Sequence, residues 1–215
     1  MQFSRTLRIG FLIPVFCLCA NSQGKEAPSE SRGMPPRATP ADYQAQGKAA
    51  SVTVAAEFKG HSMPTLEGPL TNEDYVSVEV CLFGGPEGKI KLATEDFSLK
   101  INGKKTPLAS QPFALVLHSI KDPEWEPPVK EEKKSKTSMG GGGGDSGPPP
   151  PVKIPIEVQR AMAQRIQKST LPEGERPTPV SGLIYFQYRG KATGIKSLEL
   201  TYEGSGGKVT FPLAP

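Results

Sequence analysis

Residues 75–83 read YVSVEVCLF, and this stretch contains the clearest structural signal in the chain. Every second residue is aliphatic, and the alternate positions hold a mixed set that includes Ser77, Glu79 and Cys81. Successive side chains of a β-strand point to opposite faces, so this period of two predicts a strand with one apolar face. The run GGP at 84–86 then ends it.

Shorter β-prone segments lie on both sides of this strand. Residues 51–60 contain Val52, Val54 and Phe58 and end at Gly60, which predicts one strand before it. The same reasoning predicts later strands at 89–92, 97–101, 104–108, 183–188, 197–202 and 208–213.

Two sequence features shape the middle of the chain. Asn102-Gly103 predicts a tight hairpin turn between the strands at 97–101 and 104–108, because both residues tolerate positive φ. The nearly continuous apolar run from Phe113 to Ile120, stopped by Asp122-Pro123, predicts a strand that is buried on both faces.

The strand pattern is interrupted by an insert at residues 122–179. Its glycine run at 140–144, its proline run at 148–151 and a charged run at 130–136 predict disorder. Within the insert, residues 155–169 have a helical pattern, with an apolar face made by Val158, Ala161, Met162 and Ile166.

The strand-rich segments 51–121 and 180–215 together match the size of an immunoglobulin-like sandwich, about 100 residues. The three C-terminal strands alone would form too small a core to be stable. We therefore predict a mainly β fold, a single immunoglobulin-like antiparallel β-sandwich of seven to eight strands over 51–215, with one helix in the long insert.

The N-terminal residues predict export. Arg5 and Arg8 precede an apolar run over 9–20 that is too short to span a bilayer, and small residues then favour cleavage after Ser22. Residues 1–22 are thus expected to be a signal peptide, and no transmembrane span is expected after its removal. Residues 23–50, rich in Pro, Ser, Ala and charge, predict a disordered leader.

A lipoprotein signal is the alternative, because Cys17 and Cys19 lie near the end of the apolar run. Bacterial lipoprotein signals resemble Leu-x-Ala/Gly-Cys, and neither cysteine follows such a sequence. We therefore expect a periplasmic or extracellular protein without a lipid anchor.

Charge and cysteine content limit the function classes. The formal charge is +4, and residues 1–22 contain two arginines and no acid, so the expected mature chain carries +2. That balance argues against nucleic acid as the main partner. Cys81 is the one cysteine after residue 22, so no intramolecular disulfide is expected.

The sequence contains no catalytic motif and predicts neither a cofactor nor a metal site. Nucleophilic catalysis needs a base beside the nucleophile, and His61 and His118 are the two histidines. Neither belongs to a known motif. Cys81 falls on the same strand face as Ser77 and Glu79, which could place it at the surface, and we assign it no chemistry.

Two features are candidates for partner contact. Trp125 lies among prolines and acids in DPEWEPP at 122–128, where it could anchor a partner or fold back over the sandwich end. Met162 and Ile166 lie on the apolar face of the predicted helix, which could meet a partner or dock on its own sheet.

The segments 75–83 and 96–104 resemble the opening half of secreted bacterial immunoglobulin-like domains of uncharacterised function, and 182–186 with the final hairpin resembles their closing half. The resemblance implies an extracytoplasmic sandwich and supplies no catalytic residue. We therefore predict an exported, non-enzymatic binding or structural module whose partner is an envelope protein or polymer. A secreted enzyme or enzyme accessory with a scattered active site, and a small-ligand carrier, are the alternatives.

Overall fold

A computed structural model describes residues 32–84, 88–126 and 154–215. The described residues form two α-helices, α1 (Phe113–Val116) and α2 (Ile156–Ser169). Their strands are β1 (Ala45–Lys48), β2 (Thr53–Gly60), β3 (Ser62–Met63), β4 (Leu70–Asn72), β5 (Tyr75–Phe83), β6 (Lys89–Leu92), β7 (Phe97–Ile101), β8 (Leu108–Gln111), β9 (Ile120–Lys121), β10 (Gly174–Pro177), β11 (Val180–Gln187), β12 (Leu198–Gly204) and β13 (Gly207–Leu213).

Eight strands form one large antiparallel sheet in the order β1-β2-β5-β11-β8-β7-β12-β13. The two outermost strands, β1 and β13, come into contact, so the sheet nearly closes into a barrel. Gly47 permits this approach, because a Cβ at that position would lie 2.6 Å from the ring of Phe211. Near-closure leaves little of either sheet edge open to pairing with another chain.

Strand β5 is an interior strand of the sheet. It pairs with β2 on one side and with β11 over its whole length on the other. Its aliphatic face points into the first core, which fills the interior of the barrel with side chains from every strand of the large sheet. The predicted period of two is therefore present, and the prediction of a mainly β fold is confirmed.

A second core lies on the outer face of the sheet. Helix α2 packs there through Met162 and Ile166, against Leu183 and Tyr185 of β11. The small sheet β3-β4-β9 and helix α1 complete this layer. The predicted helix at 155–169 is thus present and docks on its own sheet.

Residues 113–120, which we predicted to be a buried strand, are helical for most of their length. They form α1, a short 3-10 turn at 117–119 and the start of β9. Pro112 precedes the helix and cannot donate to a strand ladder. The residues that reach the second core are Phe113, Val116, Leu117 and Ile120, which have the spacing of a helix face.

The prediction of a disordered leader over 23–50 does not hold from Met34 onward. The backbone N–H of Met34 donates to the carbonyl of Ser181 at 2.9 Å, β1 pairs with β2, and Tyr43 is buried. The sequence of β1 is polar and has no apolar period. The strand is held in place instead by its backbone hydrogen bonds and by its contact with β13. The predicted signal peptide and the glycine and proline runs of the insert lie outside the described residues.

The turn at Asn102-Gly103 is present, with φ of 53° and 65°. The returning strand, however, begins at Leu108 instead of Lys104. Pro107 explains part of this delay, since proline has no N–H to give to the ladder.

Candidate functional site

A cleft of about 520 Å³ opens at the end of the barrel where β7 and β11 end and β8 begins. We call it the barrel-end cleft. Its wall is made by Ile101, Lys104, Thr106, Leu108, Gln187, Tyr188, Arg189 and Gly190. The lining thus combines two aliphatic side chains, one aromatic ring, two cations and an amide, and its volume lies in the range of small-molecule sites.

Asn102 organises one rim of this cleft. Its Nδ2 donates to the carbonyl of Gly194 at 2.9 Å, and its Oδ1 accepts from the backbone N–H groups of Lys196 at 2.6 Å and Ser197 at 3.2 Å. A positive φ at Asn102 directs the side chain across to this loop, and asparagine adopts that conformation more readily than most residues. The turn after β7 and the loop after β11 are therefore joined.

His61 holds the opposite rim. Its Nδ1 lies 2.7 Å from the carbonyl oxygen of Asn72 and 3.0 Å from that of Tyr75, and its Nε2 lies 2.8 Å from that of Gly190. The ring stacks on Tyr188, with centroids 6.2 Å apart. Both ring nitrogens thus face backbone carbonyl oxygens, so neither is directed at a nucleophile as a general base must be.

The cations of the cleft have few acidic neighbours. Arg189 pairs through Nε with Asp74 at 3.0 Å, and its side chain is still 73% exposed. Lys104 is exposed and forms no ion pair within the described residues. The cleft therefore presents positive charge to solvent.

Cys81, which the alternation of β5 placed on the mixed face, is fully buried. Tyr43 and Ala55 surround it, and Phe83 packs against this small cluster. Burial raises the pKa of the Cys81 thiol to about 11, so the reactive thiolate is scarce at neutral pH.

An ion-pair cluster covers the neighbouring part of the same sheet face. Glu79 is buried on β5 and pairs with Arg37 at 3.1 Å and Lys59 at 3.2 Å. Glu57 pairs with the same two cations. Burial favours a raised pKa for Glu57, but hydrogen bonds from Lys59 and Arg37 outweigh it and leave the pKa below its ordinary value. The charges of the two carboxylates and the two cations cancel, so we assign this cluster a structural role in the fold.

The remaining candidates from the sequence fall near α2. Met162 and Ile166 are 3% and 0% exposed, so packing within the chain occupies both side chains. Trp125 is half-buried, and its segment is tied to α2 by an ion pair of 2.6 Å between Asp122 and Arg165. His118 is exposed and lines a groove of about 410 Å³ beside α2.

Within the described ranges, no group of three or more His, Cys, Asp or Glu side chains is arranged to hold a metal ion. Nor does that part of the chain contain a helix with the length and apolarity needed to cross a bilayer.

Comparison with known proteins adds little to the geometry. No protein-family model and no curated protein matches the chain. A solved structure that is similar is a Bacillus subtilis protein described as a "putative lipoprotein", with 13% sequence identity and a TM-score of 0.35. The match covers 79% of this chain and 38% of that protein, so the chain spans well under half of its length.

The barrel-end cleft was not found from the sequence. Its residues come from two segments, 101–108 and 187–190, that are far apart in the sequence, and none belongs to a motif. One signal was available: residues 101–113 and 187–198 contain five basic residues and no acid. Only the pairing of β7 and β11 with β8 places these two segments side by side.

Proposed function

We propose that this protein is an exported, non-enzymatic binding module of the cell envelope, with the barrel-end cleft as its binding surface. The observation that carries the proposal is the lining of the cleft, where apolar, aromatic, amide and cationic side chains converge on one open volume. A few polar groups set in an apolar wall are typical of ligand sites.

The state of the titratable residues favours binding over catalysis. Both ring nitrogens of His61 face backbone carbonyl oxygens, and Cys81 is buried with a raised pKa. The side chain of His118 is exposed and makes no hydrogen bond with another described residue. A secreted enzyme or enzyme accessory with a scattered active site is the alternative.

The same proposal includes two further statements. The protein is exported without a lipid anchor, and its fold belongs to the immunoglobulin-like class. The N-terminal sequence supports export, because Arg5 and Arg8 precede a short apolar run over 9–20. The order of the large sheet supports the sandwich class, because β1-β2-β5-β11 and β8-β7-β12-β13 form two groups that only a short β11–β8 pairing joins. The first core lies between these two groups.

The carrier alternative needs a cavity between the two groups of strands. Large side chains occupy that space, including Phe97, Phe186 and Tyr202, each at most 1% exposed. This packing favours a ligand at the barrel end over one in the interior.

A co-sedimentation experiment tests the proposal. The purified protein is mixed with insoluble envelope polymer from the producing cell, and heat-unfolded protein is the control. We expect the folded protein to pellet with the polymer and to be released by a competing soluble fragment. Failure of the folded protein to bind any envelope polymer would contradict the proposed function.

A hydrolase screen separates the enzyme alternative. The screen measures activity on envelope substrates in the wild-type protein, in His61→Ala, in His118→Ala and in a variant changed elsewhere on the surface. Activity that is lost in both histidine variants and kept in the surface variant would favour an enzyme over a binding module.

A further inference from the structure

The fold concentrates positive charge at one end of the barrel. Residues 101–113 and 187–198 contain no Asp or Glu and hold five basic residues: Lys104, Lys105, Arg189, Lys191 and Lys196. Strand β8 lies between β7 and β11, so these two segments meet at the same end of the sheet. A chain with a formal charge of only +4 therefore carries a local basic surface around the barrel-end cleft.

These cations are available to a ligand. The four lysines are exposed and form no ion pair with any residue that the structure describes. Arg189 shares its Nε with Asp74, and its terminal nitrogens form no ion pair or hydrogen bond in the described ranges. Asp74 offsets part of the positive charge without reversing its sign.

The rest of the cleft selects what kind of anion fits. Tyr188 is half-buried and lines the cleft together with the aliphatic side chains of Ile101 and Leu108, and Gln187 adds an amide. A simple inorganic anion would use the cations and leave this surface empty. A sugar ring has an apolar face for tyrosine and hydroxyl groups for an amide, while an acidic substituent would meet the cations.

We propose that the barrel-end cleft binds an acidic sugar, a saccharide unit that carries a carboxylate or a phosphate group. Lys104 and Arg189 bind the acidic group, and Tyr188 contacts the sugar ring. The inference rests on the proposed binding function and adds the ligand class. His61 and Asn102 each hydrogen-bond to the loop after β11, and these bonds hold the wall of the cleft in place without ligand. A wall that is already ordered lowers the entropic cost of binding.

Isothermal titration of the purified protein with trigalacturonate, glucose 6-phosphate, maltotriose and inorganic phosphate tests the inference. We expect one or both acidic sugars to bind at least about tenfold more tightly than the neutral trisaccharide and the inorganic ion. The tighter of the two acidic sugars identifies the group, carboxylate or phosphate. We also expect added salt to weaken this binding.

Three single variants localise the effect. Lys104→Ala and Arg189→Ala should each weaken binding of the acidic sugar about tenfold, as expected for a lost hydrogen bond to a charged group. Lys48→Ala is the matched control, because Lys48 is an exposed, unpaired lysine on β1 at the opposite end of the barrel, within the described residues. Circular dichroism confirms that each variant folds.

Each outcome of these measurements either supports the acidic-sugar inference or overturns it. Absence of acidic-sugar binding, equal binding of maltotriose, or an equal effect of Lys48→Ala would overturn the inference. Phosphate binding as tight as the sugar would reduce the cleft to an unselective anion site and would also overturn it. Envelope binding by a protein that does not bind either acidic sugar would reject the ligand class and leave the proposed function standing.

Discussion

The imidazole of His61 joins two separate stretches of backbone, one that contains Asn72 and Tyr75 and one that contains Gly190. If His61 is replaced by a side chain that cannot form hydrogen bonds, these carbonyl oxygens lose their partner and can bind only water in its place. At this scale the residue is part of the scaffold that holds the cleft.

We expect His61→Ala to lower the free energy of unfolding by about 1–3 kcal/mol, because hydrogen bonds are lost and partly buried acceptors remain. His118→Ala is the matched control, and the loss there should stay within about 0.5 kcal/mol, since His118 is exposed. Urea denaturation measures both. Equal losses in the two variants would contradict the bridging role of His61.

The thiol of Cys81 should be unreactive in the folded protein. Its burial and its pKa of about 11 both suppress the thiolate. A thiol-specific colorimetric reagent at pH 8 is expected to label it at the rate of global or local unfolding, and at once in urea. Rapid labelling of the folded chain would show that the cover made by Tyr43 opens.

At the scale of single elements, α2 shows how a helix divides its residues between core and solvent. Ile166 is 0% exposed in the second core, while Ile156 at the start of the same helix is 53% exposed. The two positions carry the same side chain, which makes them a matched pair for measuring the contribution of the second core.

Ile166→Ala should lower the free energy of unfolding by about 2–5 kcal/mol, because it leaves a cavity in a packed core. Ile156→Ala should change it by no more than about 0.5 kcal/mol. Chemical denaturation of both variants checks this. Similar small effects would mean that α2 does not share the cooperative core.

The segment before β2 is a second element with a measurable role. Arg37 pairs with Glu57 and Glu79, and its guanidinium carbon lies 4.4 Å from the centre of the Tyr43 ring. The lowered pKa of Glu57 means that its ionised form is stabilised by folding. That contribution is present above the unfolded pKa of a glutamate and is lost as the pH falls through the lower folded value.

Arg37→Met should therefore reduce stability at pH 7, and the difference from the wild-type protein should shrink as the pH falls below about 4. Lys208→Met is the control, since its pair with Glu203 is exposed on both sides. Urea denaturation between pH 3 and pH 7 measures both. A deficit in Arg37→Met that does not vary with pH would argue against the ion pairs.

At the scale of the whole molecule, the sheet comes near to closure because β1, a strand that precedes Ser51, takes part. Strand β1 contacts β13, and the N–H of Ser51 donates to the carbonyl of Gly206 at 3.1 Å. Tyr43 and Ala49 are 6% and 3% exposed.

A chain that begins at Arg32 should unfold at the same temperature as the full protein, whereas one that begins at Ser51 should unfold several degrees lower or fail to fold. Loss of β1 leaves the edge of β2 unpaired and exposes the cluster at Cys81. Differential scanning calorimetry makes the comparison. Equal unfolding temperatures would mean that residues 32–50 are dispensable.

Much of the strand pattern could be predicted because a two-residue period is a local property. YVSVEVCLF is a strand in the structure, and the pattern at 155–169 is a helix, as the sequence alone indicates. The run at 113–120 was predicted wrongly, because a continuous apolar segment fits a buried strand and a packed helical turn alike. β1 could not be predicted, because backbone pairing with β2 holds a segment whose side chains give no signal.

The sequence by itself determined the strand alternation, the helix, the turn at Asn102-Gly103 and the absence of any recognisable catalytic motif. The tertiary structure alone decided that the sheet nearly closes, that Cys81, Met162 and Ile166 are buried, and that Lys104 and Arg189 line the same cleft. The reason is physical. Secondary structure follows from neighbouring residues, whereas burial and a binding surface depend on which distant segments the strand pairing brings together.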